Sequence, residues 1–429
     1  MKNSRQIVKL KNIKQQITPF TFCVLAILLC SIIMYSPDVI ELQEENQLLP
    51  MIVPCFIIGG SLKIYIISVF IFFLFLFCII RYGVLKKDAF LLFLLLRIAL
   101  GIIMIPIVNA TGGVLRFGNY YLFLQELFLY WGCLTSTRSN TGAILIRVFK
   151  LFVFLVAIET IYQSVFGVMN QVPYISSWYK ANMNTPAGSS NALSAIILPV
   201  MMATVFQKAK NKFDMTLVFI CTVAIILTKS RWGMGIMIFG LILYYFRSKM
   251  TPLKLILGTS VVIIVVYLII SYWDVLKILV WGYGDEVSGS TMDKLTSGRT
   301  LNKYYIDTIL NYPIIGYGPN YLEGRAHNIV LDVLFQSGIV GFGLFVASIL
   351  NIVNKYLRNV KKDNGYNVAH FFYIIVVVVL VQSLGEISFF TDIICDVIFL
   401  SSLAVLSRNV KVENKINIPK YVKSNVVMG

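Results

Sequence analysis

The chain is dominated by apolar stretches that are long enough to cross a lipid bilayer. A bilayer core requires about 20 apolar residues per helix, and hydropathy finds about twelve such stretches. They lie near residues 18–36, 61–80, 88–107, 119–135, 142–167, 190–206, 213–229, 232–246, 255–273, 328–350, 369–387 and 391–407. Charged residues make up only 13% of the chain, whereas a soluble domain carries roughly a quarter. The sequence therefore predicts an all-α polytopic membrane protein in which residues 1–429 form a single integral membrane domain.

The net charge of +17 could indicate a nucleic-acid-binding protein, but its distribution indicates a membrane topology instead. If the N-terminus is inside, most lysines and arginines fall in the cytoplasmic loops and the C-terminal tail, which is the positive-inside pattern. We therefore expect both termini to be cytoplasmic. The basic segments are expected to contact anionic membrane lipids, with no nucleic-acid partner.

The motifs that mark common metal and nucleotide sites do not occur in the sequence. The seven cysteines are scattered without C-x-x-C pairs, so we expect neither a disulfide framework nor a metal site. The G-x-x-x-x-G-K-[ST] loop of nucleotide hydrolases and the D-x-D motif are missing as well. We therefore expect no cofactor.

The largest segment outside the predicted spans is 274–327, which this topology places on the outer face as an extracytoplasmic loop. Within it, the apolar residues of 299–311, among them Leu301 and Tyr305, recur at helical spacing. This pattern predicts a short amphipathic helix on the membrane surface. Pro313 should end the helix, because proline lacks the backbone N–H and restricts the residue before it.

Three arginines are predicted on the outer face, and together they indicate an anionic substrate. They are Arg231, Arg299 and Arg325. Each guanidinium can donate two parallel hydrogen bonds to phosphate oxygens, so the set fits a diphosphate. The alternative for Arg231 is an interfacial anchor. Arg97 lies near the middle of the third stretch and is ranked below these three, since an arginine at that depth usually forms an ion pair or lines a cavity.

His327 is the candidate general base, because the pKa of histidine lies near neutrality. It is flanked by Arg325 and Asn328 and precedes an apolar helix. The alternative is a histidine that only forms a hydrogen bond at a helix start, in which case Asp307 or Glu323 could be the base.

Residues 220 to 350 resemble the C-terminal region shared by O-antigen polymerases and O-antigen ligases. Three pieces carry the resemblance, and their order and spacing are more specific than any one of them. They are Thr228 to Gly235, Arg299 followed by Tyr312 to Gly318, and the pattern His327-Asn328-x9-Gly338-x2-Gly341.

The resemblance implies a metal-independent, inverting glycosyltransferase with a GT-C-like fold in the bacterial cytoplasmic (inner) membrane. Its substrates would be oligosaccharides on undecaprenyl diphosphate, bound at an active site on the periplasmic face. The implied roles are catalytic for His327, Arg325 and Arg299, diphosphate-binding for Arg231, Arg299, Arg325 and Asn328, and structural turns for Gly316, Gly318, Gly338 and Gly341.

The sequence favours a polymerase of surface polysaccharide repeat units, with a chain-length regulator and a flippase as further partners. The alternative is an O-antigen ligase that transfers finished polymer to the lipid A core. A polysaccharide flippase or other transporter is less consistent with the sequence, because it would predict internal repeats or broken helices in both halves.

Overall fold

The architecture comes from a computed structural model of the chain, which describes part of the 429 residues. The described residues are 19–35, 52, 55–58, 60–83, 85–111, 117–137, 141–166, 184–208, 210–246, 267, 271, 303–320, 328–363, 368–385, 390 and 392–408. Three predicted site residues, Arg299, Arg325 and His327, lie outside this set.

The described residues form α-helices and two small strand pairs. The helices are α1 (Pro19–Ile33), α2 (Gly60–Tyr82), α3 (Ala89–Ala110), α4 (Phe117–Ser136), α5 (Thr141–Phe166), α6 (Ser190–Val205), α7 (Lys212–Leu227), α8 (Arg231–Phe246), α9 (Lys303–Asn311), α10 (Ile329–Asp363), α11 (Val368–Gln382) and α12 (Ile393–Arg408). Strand β1 (Met34–Tyr35) pairs in parallel with β2 (Phe56–Ile57), and β3 (Asn184–Thr185) pairs antiparallel with β4 (Gly188–Ser189).

The helices confirm an all-helical, multi-pass membrane protein. Within the described residues, α2, α3, α5 and α10 are long and apolar enough to cross a membrane. Every predicted stretch overlaps a helix except 255–273, of which only residues 267 and 271 are described. The count of about twelve spans and the GT-C-like arrangement stay predictions.

Helix α6 lies at the centre of the apolar core. Its side chains are buried without interruption from Leu193 to Val205, as expected for a helix that is apolar on all sides. It packs against α5, α7, α8 and α11. Helix α6 therefore connects several of the helices that carry the candidate site.

The predicted amphipathic segment contains α9, which ends at Asn311, before Pro313. Its Tyr305 is fully buried against Phe335 of α10, with the ring centroids 4.6 Å apart. Leu310 is exposed. Helix α9 therefore docks on α10 through one side and leaves an apolar residue at the surface.

Candidate functional site

The site region is organised around a break in α10. At Gly338 the backbone leaves the helix with φ 58° and ψ −166°. The N–H groups of Ile339 and Val340 then donate to the carbonyls of Pro313 and Ile314, at 2.8 and 3.3 Å. The carbonyl groups before the break accept hydrogen bonds from N–H groups of the turn that follows α9. They accept from Tyr317 and Gly318 N–H at 2.6 and 3.1 Å.

Glycine is required where this turn and the break meet. Gly316 and Gly338 both have positive φ, at 73° and 58°. A Cβ on Gly316 would lie 2.5 Å from the Ser337 nitrogen, and one on Gly338 would overlap the Ile314 carbonyl. A Cβ on Gly341 would likewise overlap the Ser337 side chain. The two backbones therefore contact each other directly, which only glycine permits.

The turn is also fastened to α3 and α4. The Asn119 amide donates to the Pro319 carbonyl at 2.6 Å, and the Tyr120 hydroxyl donates to the Gly101 carbonyl at 3.0 Å. The Asn320 amide donates to the Tyr120 hydroxyl at 3.2 Å. Asn320, the last described residue before the segment that carries Arg325 and His327, is fully buried.

Arg97 lies in a buried ion pair beside the break. Its guanidinium pairs with Glu126 of α4, and its Nε donates to the Gln336 side chain at 2.8 Å. Phe123 and Phe390 cover it, with ring centroids 3.5 and 4.1 Å from Cζ. Arg97 and Glu126 are each only 1% exposed. Arg97 therefore has the structural ion-pair role that the sequence left open, and it braces the last turn before the break.

The start of α8 carries Arg231 on a strained turn. Lys229 has φ 54°, an uncommon and costly conformation for a residue with a side chain. The Ser230 hydroxyl then caps the helix by accepting from the Gly233 N–H at 3.3 Å. Arg231, the first helical residue, is half-buried. The predicted cation thus lies at a helix N-terminus held by its flanking residues.

The start of α10 is capped by Asn328. Its Oδ1 accepts from the N–H groups of Val330 and Leu331 at 2.9 and 3.3 Å. Its Nδ2 donates to the Leu384 carbonyl at 2.9 Å, and the Ile329 N–H donates to Ser383 at 2.8 Å. Asn328 thus joins α10 to the end of α11, and its diphosphate-binding role stays a prediction.

The segment 382–385 links the starts of α8 and α10. The Trp232 indole donates to the Gln382 carbonyl at 2.9 Å, and a Cβ on Gly385 would lie 2.7 Å from the same ring. The starts of α8 and α10 therefore lie on the same four residues. The structure brings the helix ends of Arg231 and Asn328 to one place.

Helix α6 reaches this place through its second turn. A Cβ on Gly233 would overlap the hydroxyl of Ser194, in the second turn of α6. Helix N-termini carry a partial positive charge, which favours the binding of phosphates. The starts of α8 and α10, with Arg231 beside them, favour an anionic ligand.

Other candidates of the sequence lie elsewhere. Asp307 is exposed on α9, and Glu323 lies outside the described residues. The second histidine of the chain, His370, is not a predicted site residue, and its Nδ1 bonds with the Tyr356 hydroxyl at 2.8 Å. Among the described residues, no three histidine, cysteine, aspartate or glutamate side chains group closely enough to hold a metal ion.

Two polar residues at the junction were missed by sequence reasoning. Gln382 and Ser194 are both fully buried beside the start of α8. Each lies in an apolar run and belongs to no motif. The only available signal was their polarity near the ends of apolar stretches.

Comparison with known families identifies the segment that contains these helix starts. Residues 216–346 match the O-antigen ligase family. The match runs from α7 to the second half of α10 and includes the broken helix, its docked turn and the start of α8. It confirms the resemblance to O-antigen ligases and polymerases over this segment. It supports a glycosyltransferase activity in general terms. No curated protein matches the chain significantly.

Proposed function

We propose that the protein polymerises oligosaccharide repeat units linked to undecaprenyl diphosphate, at the outer face of the bacterial cytoplasmic membrane. The observation that carries the proposal is the meeting of two helix starts on 382–385. Both helices begin within the matched residues 216–346. One start presents Arg231, and the other follows directly on the segment with Arg325 and His327. Helix N-termini and guanidinium groups suit a diphosphate leaving group.

The proposed reaction is an inverting displacement at the anomeric carbon. The acceptor hydroxyl forms the new glycosidic bond while the bond from the anomeric carbon to the diphosphate breaks. The diphosphate leaves with the electron pair, and Arg231, Arg299 and Arg325 neutralise its charge. His327 takes the proton of the acceptor hydroxyl.

The second candidate function is an O-antigen ligase, which is the activity named in the description of the matching family. A ligase would use the same donor chemistry, because finished polymer is also carried on undecaprenyl diphosphate. It would differ in the acceptor, which would be the lipid A core instead of another lipid-linked repeat unit. The two functions therefore share the diphosphate site and differ in the accumulated intermediate.

The test replaces Arg231 by lysine in cells that make the polysaccharide. Lysine keeps the charge but loses the planar fork that binds two oxygens at once, so we expect transfer to fall sharply. Arg147→Lys is the matched control, because Arg147 is exposed on α5 and belongs to no proposed site. Both variants are compared at equal amounts in the membrane.

The accumulated lipid identifies the function. A defective polymerase leaves single lipid-linked repeat units on the outer face, whereas a defective ligase leaves full-length polymer on undecaprenyl diphosphate. Normal surface polysaccharide in Arg231→Lys would contradict the diphosphate role of Arg231. A change only in the movement of lipid-linked units across the membrane would favour a transporter.

A further inference from the structure

Gln382 presents a buried amide that has no hydrogen-bond partner among the described residues, at the junction of helix starts. It is the last residue of α11 and is 0% exposed. Its backbone carbonyl accepts from Trp232, but neither Oε1 nor Nε2 of its side chain has a partner among the described residues. Buried polar groups are nearly always paired, so such an amide calls for an explanation.

Ser194 is in the same situation on the other side of the α8 start. Its side chain is 0% exposed, and its hydroxyl has no partner within the described part of the chain. It lies against Gly233, the residue that follows Trp232. Because Trp232 and Gly233 are consecutive, the Gln382 and Ser194 residues flank one helical turn, directly after Arg231.

We propose that Gln382 and Ser194 bind sugar hydroxyl groups of the lipid-linked substrate next to its diphosphate. This inference rests on the proposed function, since Arg231 and the helix starts would hold the diphosphate. The saccharide is joined directly to that diphosphate, so its first sugar must lie beside the bound anion. Gln382 and Ser194 are specificity residues in this assignment and take no part in proton transfer.

The unpaired atoms indicate a hydroxyl as the ligand. The Gln382 amide offers both donors and an acceptor, and the Ser194 hydroxyl offers the same two capacities. Diphosphate oxygens would satisfy only the donors and would leave Oε1 unpaired. A cation would satisfy only Oε1, and it is disfavoured beside Arg231 and the positive helix ends. A sugar hydroxyl both donates and accepts, so it satisfies both capacities of the amide.

Trp232 lies against the backbone of Gln382. Its indole bonds to the Gln382 carbonyl, packs on Gly385 and is 40% exposed. A ligand that arrives at the α8 start therefore meets this ring first.

The test replaces Gln382 by methionine, which has a similar volume and no hydrogen-bonding amide. If the amide binds a sugar, kcat/KM for the lipid-linked repeat unit should fall roughly tenfold to a hundredfold, as expected for a lost substrate hydrogen bond. The thermal unfolding temperature should stay the same or rise, because a buried group without a partner has been removed. Lower activity with equal or higher stability is a combination that a purely structural glutamine would not produce.

Binding measurements with two probes separate the possible roles. The probes are undecaprenyl diphosphate without sugar and the complete repeat unit on the same lipid, extracted from cells that carry the wild-type chain. We expect Gln382→Met to weaken binding of the complete unit and to leave binding of the sugar-free lipid unchanged. Equal weakening for both probes would overturn the sugar assignment, as would wild-type kcat/KM and wild-type binding of the complete unit.

Ser194→Ala keeps the test decisive if the methionine variant fails to fold. Removing one hydroxyl costs little volume, and we expect the same selective loss of sugar-dependent binding. Unchanged binding of both probes by this variant would overturn the assignment for Ser194. If the wild-type protein binds neither probe and forms no product, the proposed function itself is wrong, whatever the variants do.

Discussion

Gly338→Ala should destabilise the protein strongly, because Gly338 makes the break in α10 possible. Its φ of 58° and ψ of −166° belong to a region that only glycine adopts readily. Holding a residue with a side chain in that region costs about 1–3 kcal/mol. The added methyl group would also overlap the Ile314 carbonyl and lie 2.6 Å from the Ile315 nitrogen. Forcing a methyl group into a packed contact adds typically about 1–3 kcal/mol. The expected loss of stability is therefore about 2–6 kcal/mol.

Gly343→Ala is the matched control in the same helix. A Cβ at Gly343 would meet nothing within 4 Å, and Gly343 does not have a positive φ. Alanine in a helix is favoured over glycine by about 1 kcal/mol. The control should therefore be neutral or slightly stabilising. The two alanine variants should differ by roughly 2–7 kcal/mol, although the sequence change is identical.

Thermal unfolding of the purified protein in detergent measures this difference. Protein levels in the membrane provide a second readout, since an unstable variant is degraded faster. If Gly338→Ala and Gly343→Ala unfold at the same temperature, the break is not a fixed feature of the folded protein. The conclusion that the backbone conformation at position 338 requires glycine would then be refuted.

Three further predictions concern the buried ion pair, the base and the topology. Arg97→Met should cost about 3–5 kcal/mol because it leaves Glu126 buried without its cation, and adding Glu126→Met should recover most of the loss in unfolding measurements. If the double variant is no more stable than Arg97→Met, the loss of stability does not come from the unpaired Glu126 carboxylate. His327→Ala should lower transfer by about 10²–10⁴-fold at equal protein level, and near-normal polymer would leave His327 a structural role. Ser288→Cys should react with a membrane-impermeant thiol reagent in spheroplasts, and labelling only after permeabilisation would overturn the outer-face assignment of 274–327.

The helices could be predicted well because hydropathy is a local property. The predicted stretch 88–107 became Ala89–Ala110, and 142–167 became Thr141–Phe166. The stretch 328–350 starts within one residue of α10 but misses its extension to Asp363, because that part is polar. The apolar pattern gave no sign of the break, which depends on a turn from another part of the chain. Only the glycines of the motif indicated a special backbone at this point.

The partners of buried polar groups could not be predicted, because they lie far apart in the sequence. Arg97 pairs with Glu126, 29 positions away, and with Gln336, 239 positions away. Nothing in the local pattern around Arg97 selects either partner. The sequence also gives no sign of the roles of Gln382 and Ser194, because neither belongs to a recognisable motif.

The break in α10 explains why the motif joins a helix start to a glycine at a fixed distance. The nine residues between Asn328 and Gly338 are the length of helix from its cap to the break. An unpaired backbone group inside a membrane costs several kcal/mol, so the break can persist only while the turn at 312–318 pairs with it. The same turn ends at Asn320, which is hydrogen-bonded to Tyr120. The residues that flank the segment with Arg325 and His327 are therefore both hydrogen-bonded, Asn320 to Tyr120 and Asn328 to Leu384. A change at Gly338 should for this reason affect the site as well as the stability of the fold.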